Sequence, residues 1–222
     1  MTGQLAGKRG LVIGVANEKS IAWGIAKAAA DAGAELAFTY QAENLGRRVI
    51  PLAESVGSDM VLQADVLDEA SLDGLFKTLK EKWGSFDFLI HAVAYSDKDE
   101  LTGRFINTTR KNFLNSMDIS CYSLIDLAKR AAPLMTNGGT ILTLTFQGST
   151  SVMPNYNVMG VAKAALESAV RYLANDLGPE GIRVNAISPG PMRTLAGAAI
   201  GGARKTYRAT EANAPLRSNA TL

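Results

Sequence analysis

Cysteine and histidine each occur once in this chain of 222 residues, as Cys121 and His91. A lone cysteine excludes an internal disulfide, and one cysteine with one histidine cannot assemble a conventional zinc site, so no metal is expected. An excess of charge is also missing: 23 lysines and arginines stand against 21 aspartates and glutamates, a net charge of +2. So small a balance gives no reason to expect nucleic acid or an anionic membrane surface as partner. No apolar run reaches the roughly eighteen residues that a membrane span needs. The opening Met1-Thr2-Gly3-Gln4-Leu5-Ala6-Gly7-Lys8 lacks the apolar core of a signal peptide. These absences make the cytoplasm the default location.

What is present is a core. Apolar residues make up 47% of the chain and charged residues 20%, enough apolar side chains for a sizeable globular interior. With no internal repeat, low-complexity tract or linker, residues 1–222 are expected to form a single domain. Short apolar runs alternate with longer amphipathic segments. Strands are expected at 9–14, 35–40, 60–65, 86–92, 139–145 and 182–188. Helices are expected at 20–32, 44–56, 71–83, 110–135 and 156–177, with Pro51 breaking or kinking the second. Ser20 is the expected cap of the first helix and Gly33 its stop. Strands alternating with helices of this length imply right-handed βαβ units. The fold class is therefore α/β: a Rossmann-like, doubly wound parallel sheet in three layers. Ligands in such a fold sit beyond the carboxyl ends of the strands.

The turn after the first strand, Gly14-Val15-Ala16-Asn17-Glu18-Lys19-Ser20-Ile21, is placed to receive a dinucleotide pyrophosphate at a helix start. It departs from G-x-G-x-x-G, because Ala16 and Lys19 stand where glycines would be. The second strand ends at Gln41, which can hydrogen-bond ribose hydroxyls without bringing the usual acidic charge. Arg47 and Arg48 could approach a 2′-phosphate, but ordinary solvated helix charge explains them better. NADH is therefore favoured over NADPH. Asp65 and Val66 follow the third strand and could meet the adenine; a helix-capping role for Asp65 is the alternative.

Tyr156 and Lys163 stand seven residues apart, close to two helical turns, which predicts that both leave one face of a helix. A phenol there can donate to a developing oxyanion, while the ammonium holds a cofactor and lowers the phenol's pKa. An isolated pair at this spacing is more often two solvent-facing neighbours. His91, at the end of the fourth strand, invites a general-acid role, but a structural one is expected. Cys121 reads as a buried helix residue.

Several ordered blocks decide between these readings. They include Ser20-Ile21-Ala22, Glu35-to-Gln41, Met117-to-Ser123, Met153-to-Lys163, Gly178-to-Ser188 and Gly190-to-Ala196. Together they resemble the NADH-dependent enoyl-acyl-carrier-protein reductases of bacterial type II fatty acid synthesis, a branch of the short-chain dehydrogenase/reductase superfamily. The resemblance covers essentially the whole chain. Most of that superfamily carries its tyrosine four residues before the lysine, where this chain has Met159.

The resemblance implies that Tyr156 hydrogen-bonds the thioester carbonyl of an enoyl substrate and Lys163 holds the nicotinamide ribose. It implies Ala92, Val93 and Ala94 beneath the cofactor, with Met192 and Thr194 beside its carboxamide and pyrophosphate. It also implies an acyl pocket near Tyr95, Met159, Ala196 and Ile200, and a mobile substrate-binding loop at about 196–208. Acyl carrier protein would present the substrate, and the enzyme would be a homotetramer. A dinucleotide-binding relative with little turnover and a short-chain carbonyl reductase are the alternatives.

Two departures stand out. The family's second tyrosine, ten residues before the first, is Phe146 here, and activity is expected to survive the change. Relatives also continue beyond Leu222 through a further helix and strand, and without these a sheet edge is expected to be exposed.

Overall fold

The computed structural model describes residues 3–222. Six strands form one fully parallel sheet: β1 (Arg9–Ile13), β2 (Glu35–Tyr40), β3 (Met60–Gln63), β4 (Phe88–His91), β5 (Gly139–Leu144) and β6 (Ile182–Ile187). Their spatial order is β3-β2-β1-β4-β5-β6. The chain starts in the middle, winds outward to β3, then crosses back to β4, which is the doubly wound pattern. The switch point lies between β1 and β4, where Ile13 pairs with His91. β6 forms an edge of the sheet among the described residues.

Strand residues alternate between two cores, as a two-residue period requires. Leu11 and Ile13 join Leu89, Ile141, Ile182 and Val184 under α3 (Glu69–Trp83), α5 (Ser123–Ala131) and α6 (Asn157–Leu177). Val12 joins Leu36, Phe38 and Ile90 under α1 (Ile21–Asp31) and α2 (Glu43–Ser55). Burying each such side chain contributes about 1.5–3 kcal/mol, and the two clusters make the three layers.

The expected strands and helices appear within a few residues of their anticipated ends, with three corrections. Pro51 neither breaks nor delays α2, which runs through it on an exposed side. The long helix expected at 110–135 is composite: α4 (Arg110–Met117), a π-helical turn (Asp118–Tyr122), α5, and a 3₁₀ turn (Ala132–Leu134). The wide turn carries Ser120, whose Oγ accepts from Tyr95 N at 3.0 Å, and π-turns often mark functional sites. The expected loop at 196–208 is mostly helical, as α7 (Leu195–Ala199) and α8 (Ala203–Asn213). Its glycines do not leave it irregular: Gly202 takes the left-handed conformation that starts α8.

His91 is structural, as expected. It is fully buried, with Nδ1 2.8 Å from Thr143 Oγ1 and Nε2 2.8 Å from Ser123 Oγ. Ser123 already donates to Ile119 O at 2.7 Å, so its oxygen must accept from Nε2–H. Thr143 then donates to a bare Nδ1. Burial first, and the Lys163 charge second, push the imidazole down to about 3. The unfolded chain therefore binds a proton near pH 6.5 that the folded chain refuses until about pH 3. The stabilisation is complete above about pH 6.5 and drains away as pH falls toward 3. Relative to His91→Gln, the wild type should lose about 2–3 kcal/mol between pH 7 and pH 4.5. Urea titrations at both pH values check this, and parallel losses in the two proteins would contradict it.

Candidate active site

The strand ends that face the switch point carry the candidate residues. Gly14 follows β1 with φ +108, and a Cβ there would lie 2.2 Å from Ala92 O. Only glycine lets the ends of β1 and β4 approach this closely. The turn beyond it is braced internally. Ser20 stands at the N-cap of α1, yet its Oγ does not cap the helix; it accepts from Ala16 N at 3.0 Å and Asn17 N at 3.1 Å. Ile21 opens α1 behind it.

Gln41, just past β2, donates through Nε2 to Asp65 Oδ2 at 2.9 Å, so these two candidates meet across the ends of neighbouring strands. The other Asp65 oxygen accepts from Leu67 N. The cap of α3 is Asp68, which accepts from Ala70 N and Ser71 N, so the capping alternative for Asp65 is not what the chain does. Val66 packs against the larger core. Arg47 and Arg48 are exposed on α2. Beyond β4, Ala92 and Val93 are half-buried, while Ala94 and Tyr95 are exposed.

Tyr156 is not on the helix proper: it is the N-cap residue of α6, and Lys163 sits two turns in. Both nonetheless reach the end of β5. The Lys163 Nζ donates to Leu144 O at 2.7 Å. Two residues on, the Phe146 ring meets the Tyr156 ring edge-on, with centroids 4.9 Å apart at 69°. Gly148 packs against the same ring beside Phe146: a Cβ there would fall 2.5 Å from Tyr156 Cδ1 and 3.3 Å from Phe146 Cδ1. Tyr156, Met159, Leu101 and Ala162 form a separate apolar cluster joined by Phe146, Met153 and Ile200. The structure thus brings together Tyr156, Phe146, Met159 and Ile200, while Tyr95 and Ala196 expose their side chains and do not join that cluster.

The electrostatics correct one expectation. Burial pushes the Tyr156 phenol above its ordinary range, and the lysine does not bring it down. The phenol stays protonated and keeps its O–H to donate, which suits a partner that gains negative charge. Lys163 is buried as well. Burial brings its ammonium down to about 8, with Cys121 and Glu167 pulling the other way. One of its three N–H donors is used on Leu144 O, which leaves two for a ligand.

Asn155 and Asn157, on either side of Tyr156, were not singled out from the sequence. Both have positive φ, 60° and 29°, a region that asparagine tolerates better than most residues. Asn155 Nδ2 donates to Gly201 O at 2.7 Å, between α7 and α8. Asn157 Nδ2 faces the carbonyls of Glu100, Thr102 and Gly103. Thr194 Oγ1 accepts from Gly197 N at 2.9 Å and keeps its own hydrogen free to donate. Met192 O accepts from Tyr207 OH at 3.0 Å.

Comparison with known proteins agrees with this geometry. The profile of a family described as enoyl-(acyl carrier protein) reductase matches residues 14–222. Enoyl-(acyl-carrier-protein) reductase (NADH) 2 of Rhizobium meliloti is 60% identical over the whole chain and 83% of its own length. The crystal structure of the reductase from Anaplasma phagocytophilum in complex with NAD is 55% identical, with a TM-score of 0.95 over 100% of this chain and 84% of that one. That from Candidatus Liberibacter asiaticus is 51% identical, with a TM-score of 0.97 over 100% and 86%.

Proposed function

Because the chain belongs to the enoyl-(acyl carrier protein) reductase family, we propose that it reduces the carbon–carbon double bond of enoyl thioesters carried by acyl carrier protein, using NADH, in fatty acid elongation. The observation that carries this reading is a protonated phenol and a buried ammonium converging on the end of β5 beside an apolar cluster. The strand ends fit a dinucleotide. Gly14 lets the ends of β1 and β4 close up at the switch point, and Gln41 offers an uncharged partner for ribose hydroxyls, which suits NADH better than NADPH. Ala16, Ser20, Ile21, Asp65, Val66, Ala92, Val93, Ala94, Met192 and Thr194 would complete that site.

When bound, NADH supplies the hydride that the β-carbon of the substrate accepts. As electrons move onto the thioester oxygen, Tyr156 donates a hydrogen bond to the charge that develops there. Lys163 directs its two free N–H donors at the nicotinamide ribose and fixes the position of the ring. Phe146 and Met159 present apolar surface to the acyl chain, and the enolate is released as its α-carbon takes a proton that comes from solvent, completing saturation. The segment 196–208 would roof the substrate through α7 and α8. Carbonyl reduction is disfavoured because the position four before the lysine holds a buried Met159, its sulfur 3.7 Å from Ser120 Oγ.

We also place the enzyme in the cytoplasm as a homotetramer. Among the described residues no helix is long and apolar enough to cross a membrane. Leu114, Tyr122 and Ile125 on α4 to α5, with Val161 and Tyr172 on α6, expose apolar surface that a second copy would cover. Light scattering at the mass of one chain would remove that part.

The test is NADH oxidation with crotonyl and longer enoyl thioesters, with simple ketones as controls and NADPH in parallel. Turnover on thioesters alone, faster with NADH, is expected. Turnover on ketones, or binding without turnover, would overturn the assignment.

A further inference from the structure

We infer that Glu167 is a positioning residue for the Tyr156 phenol. This rests on the reductase reading for its chemistry, but its geometry stands alone. Glu167 lies one turn beyond Lys163 on α6, and its Oε1 receives two short hydroxyl bonds, from Thr145 Oγ1 and Ser149 Oγ, both at 2.5 Å. Lengths of this order belong to hydroxyls donating to a carboxylate.

The two donors bracket the segment that walls the phenol. Between Thr145 and Ser149 stand Phe146, whose ring meets Tyr156 edge-on, and Gly148, whose backbone packs against the same ring beside Phe146. The neighbouring turn of α6 grips the residue just before this segment, through Lys163 Nζ and Leu144 O. Two successive turns of α6 therefore hold consecutive residues at the end of β5: Lys163 by the backbone of Leu144, Glu167 by the side chain of Thr145. Release of Oε1 removes the side-chain tie at each end of the 145–149 segment, leaving the backbone bonds of Thr145 N to Ile187 O and Ser149 N to Phe146 O, and lets the aromatic wall shift along the phenol. Misplacement on the order of 1 Å costs about a hundredfold in rate.

A glutamine at 167 keeps a carbonyl oxygen able to accept both hydroxyls, and an alanine keeps neither bond. Glu167→Ala is expected to lower kcat about ten- to hundredfold while KM for NADH changes less than threefold. Glu167→Gln should recover most of the loss. In parallel, protein labelled with 3-fluorotyrosine gives a ¹⁹F resonance for Tyr156, assigned by its disappearance in Tyr156→Phe. That resonance should shift in Glu167→Ala and stay near its wild-type place in Glu167→Gln, with both variants retaining the wild-type circular dichroism spectrum. The fluorine readout needs no turnover, so an inactive wild type with a shifted resonance in the alanine variant would overturn the reductase reading alone. An unmoved resonance in Glu167→Ala, or equal kcat losses in the two variants, would overturn the role of Glu167.

Discussion

Replacing Tyr156 by phenylalanine is expected to lower kcat for enoyl thioester reduction by about 10²–10³-fold, the cost of one oxyanion donor. The ring would keep its edge contact with Phe146 and its seat against Gly148, since neither involves the hydroxyl. The loss should therefore fall on kcat, with little change in KM for NADH or in thermal midpoint, because the interaction forms only as charge develops. The family's second phenol is not there to compensate, position 146 being phenylalanine. Steady-state kinetics with crotonyl and longer thioesters check this. A variant within tenfold of wild type would mean that another group meets the oxygen. The companion change, Phe146→Tyr, should gain far less than a hundredfold, since Tyr156 already supplies the donor.

Lys163→Met should move activity and stability in opposite directions. The ammonium is buried and spends one donor on Leu144 O, leaving two that we assign to the cofactor. Hydrogen bonds to charged groups contribute about 1.5–3 kcal/mol each. Loss of two should weaken NADH binding and kcat/KM together by about a hundredfold or more. The folded protein should meanwhile gain stability at pH 7, because a charge that burial disfavours gives way to an apolar chain of similar length. The pH dependence has a definite sign. The lysine loses its proton near pH 8 when folded and near 10.5 when unfolded. Below about 8 the full cost of the buried charge persists, and it is relieved as pH rises from 8 to 10.5. The stability gap between variant and wild type should therefore close over that interval. Calorimetry at pH 7 and pH 10, with fluorescence titration of NADH, tests both halves. A less stable variant at pH 7 would show that Lys163 holds the fold together.

Alternation of apolar runs with amphipathic segments was enough to place the six strands and the doubly wound class of sheet, because a parallel sheet buried on both faces leaves few other patterns; the order β3-β2-β1-β4-β5-β6 came from the structure. The Tyr156–Lys163 pair stood out by its spacing, but Tyr156 is the N-cap of α6 rather than a helical residue, and the resemblance, not the spacing, raised the pair above two surface neighbours. What spacing could not reveal was the protonation balance. The phenol's pKa depends on how deeply α6 is covered, and burial outweighs the lysine. The π-turn at 118–122 was equally hidden, since a single wide turn is too short to set an apolar period of its own. Glycines at 197, 201 and 202 suggested irregular chain, yet two of them sit at or beside helix ends, where glycine is as much at home. Asn155 and Asn157 carried a signal only in retrospect: two asparagines around one tyrosine hint at unusual dihedral angles rather than at ligands.

Those two asparagines turn the tyrosine into a tie-beam. One amide is pinned to the roof at Gly201 and the other to the carbonyls of the facing wall at 100–103. Any outward swing of the roof therefore pulls on the peptide that aims the phenol. On the proposed reading, an acyl tail bulky enough to lift that rim would also turn the hydroxyl, and breadth of diet and speed of chemistry would be geared to each other through a single residue.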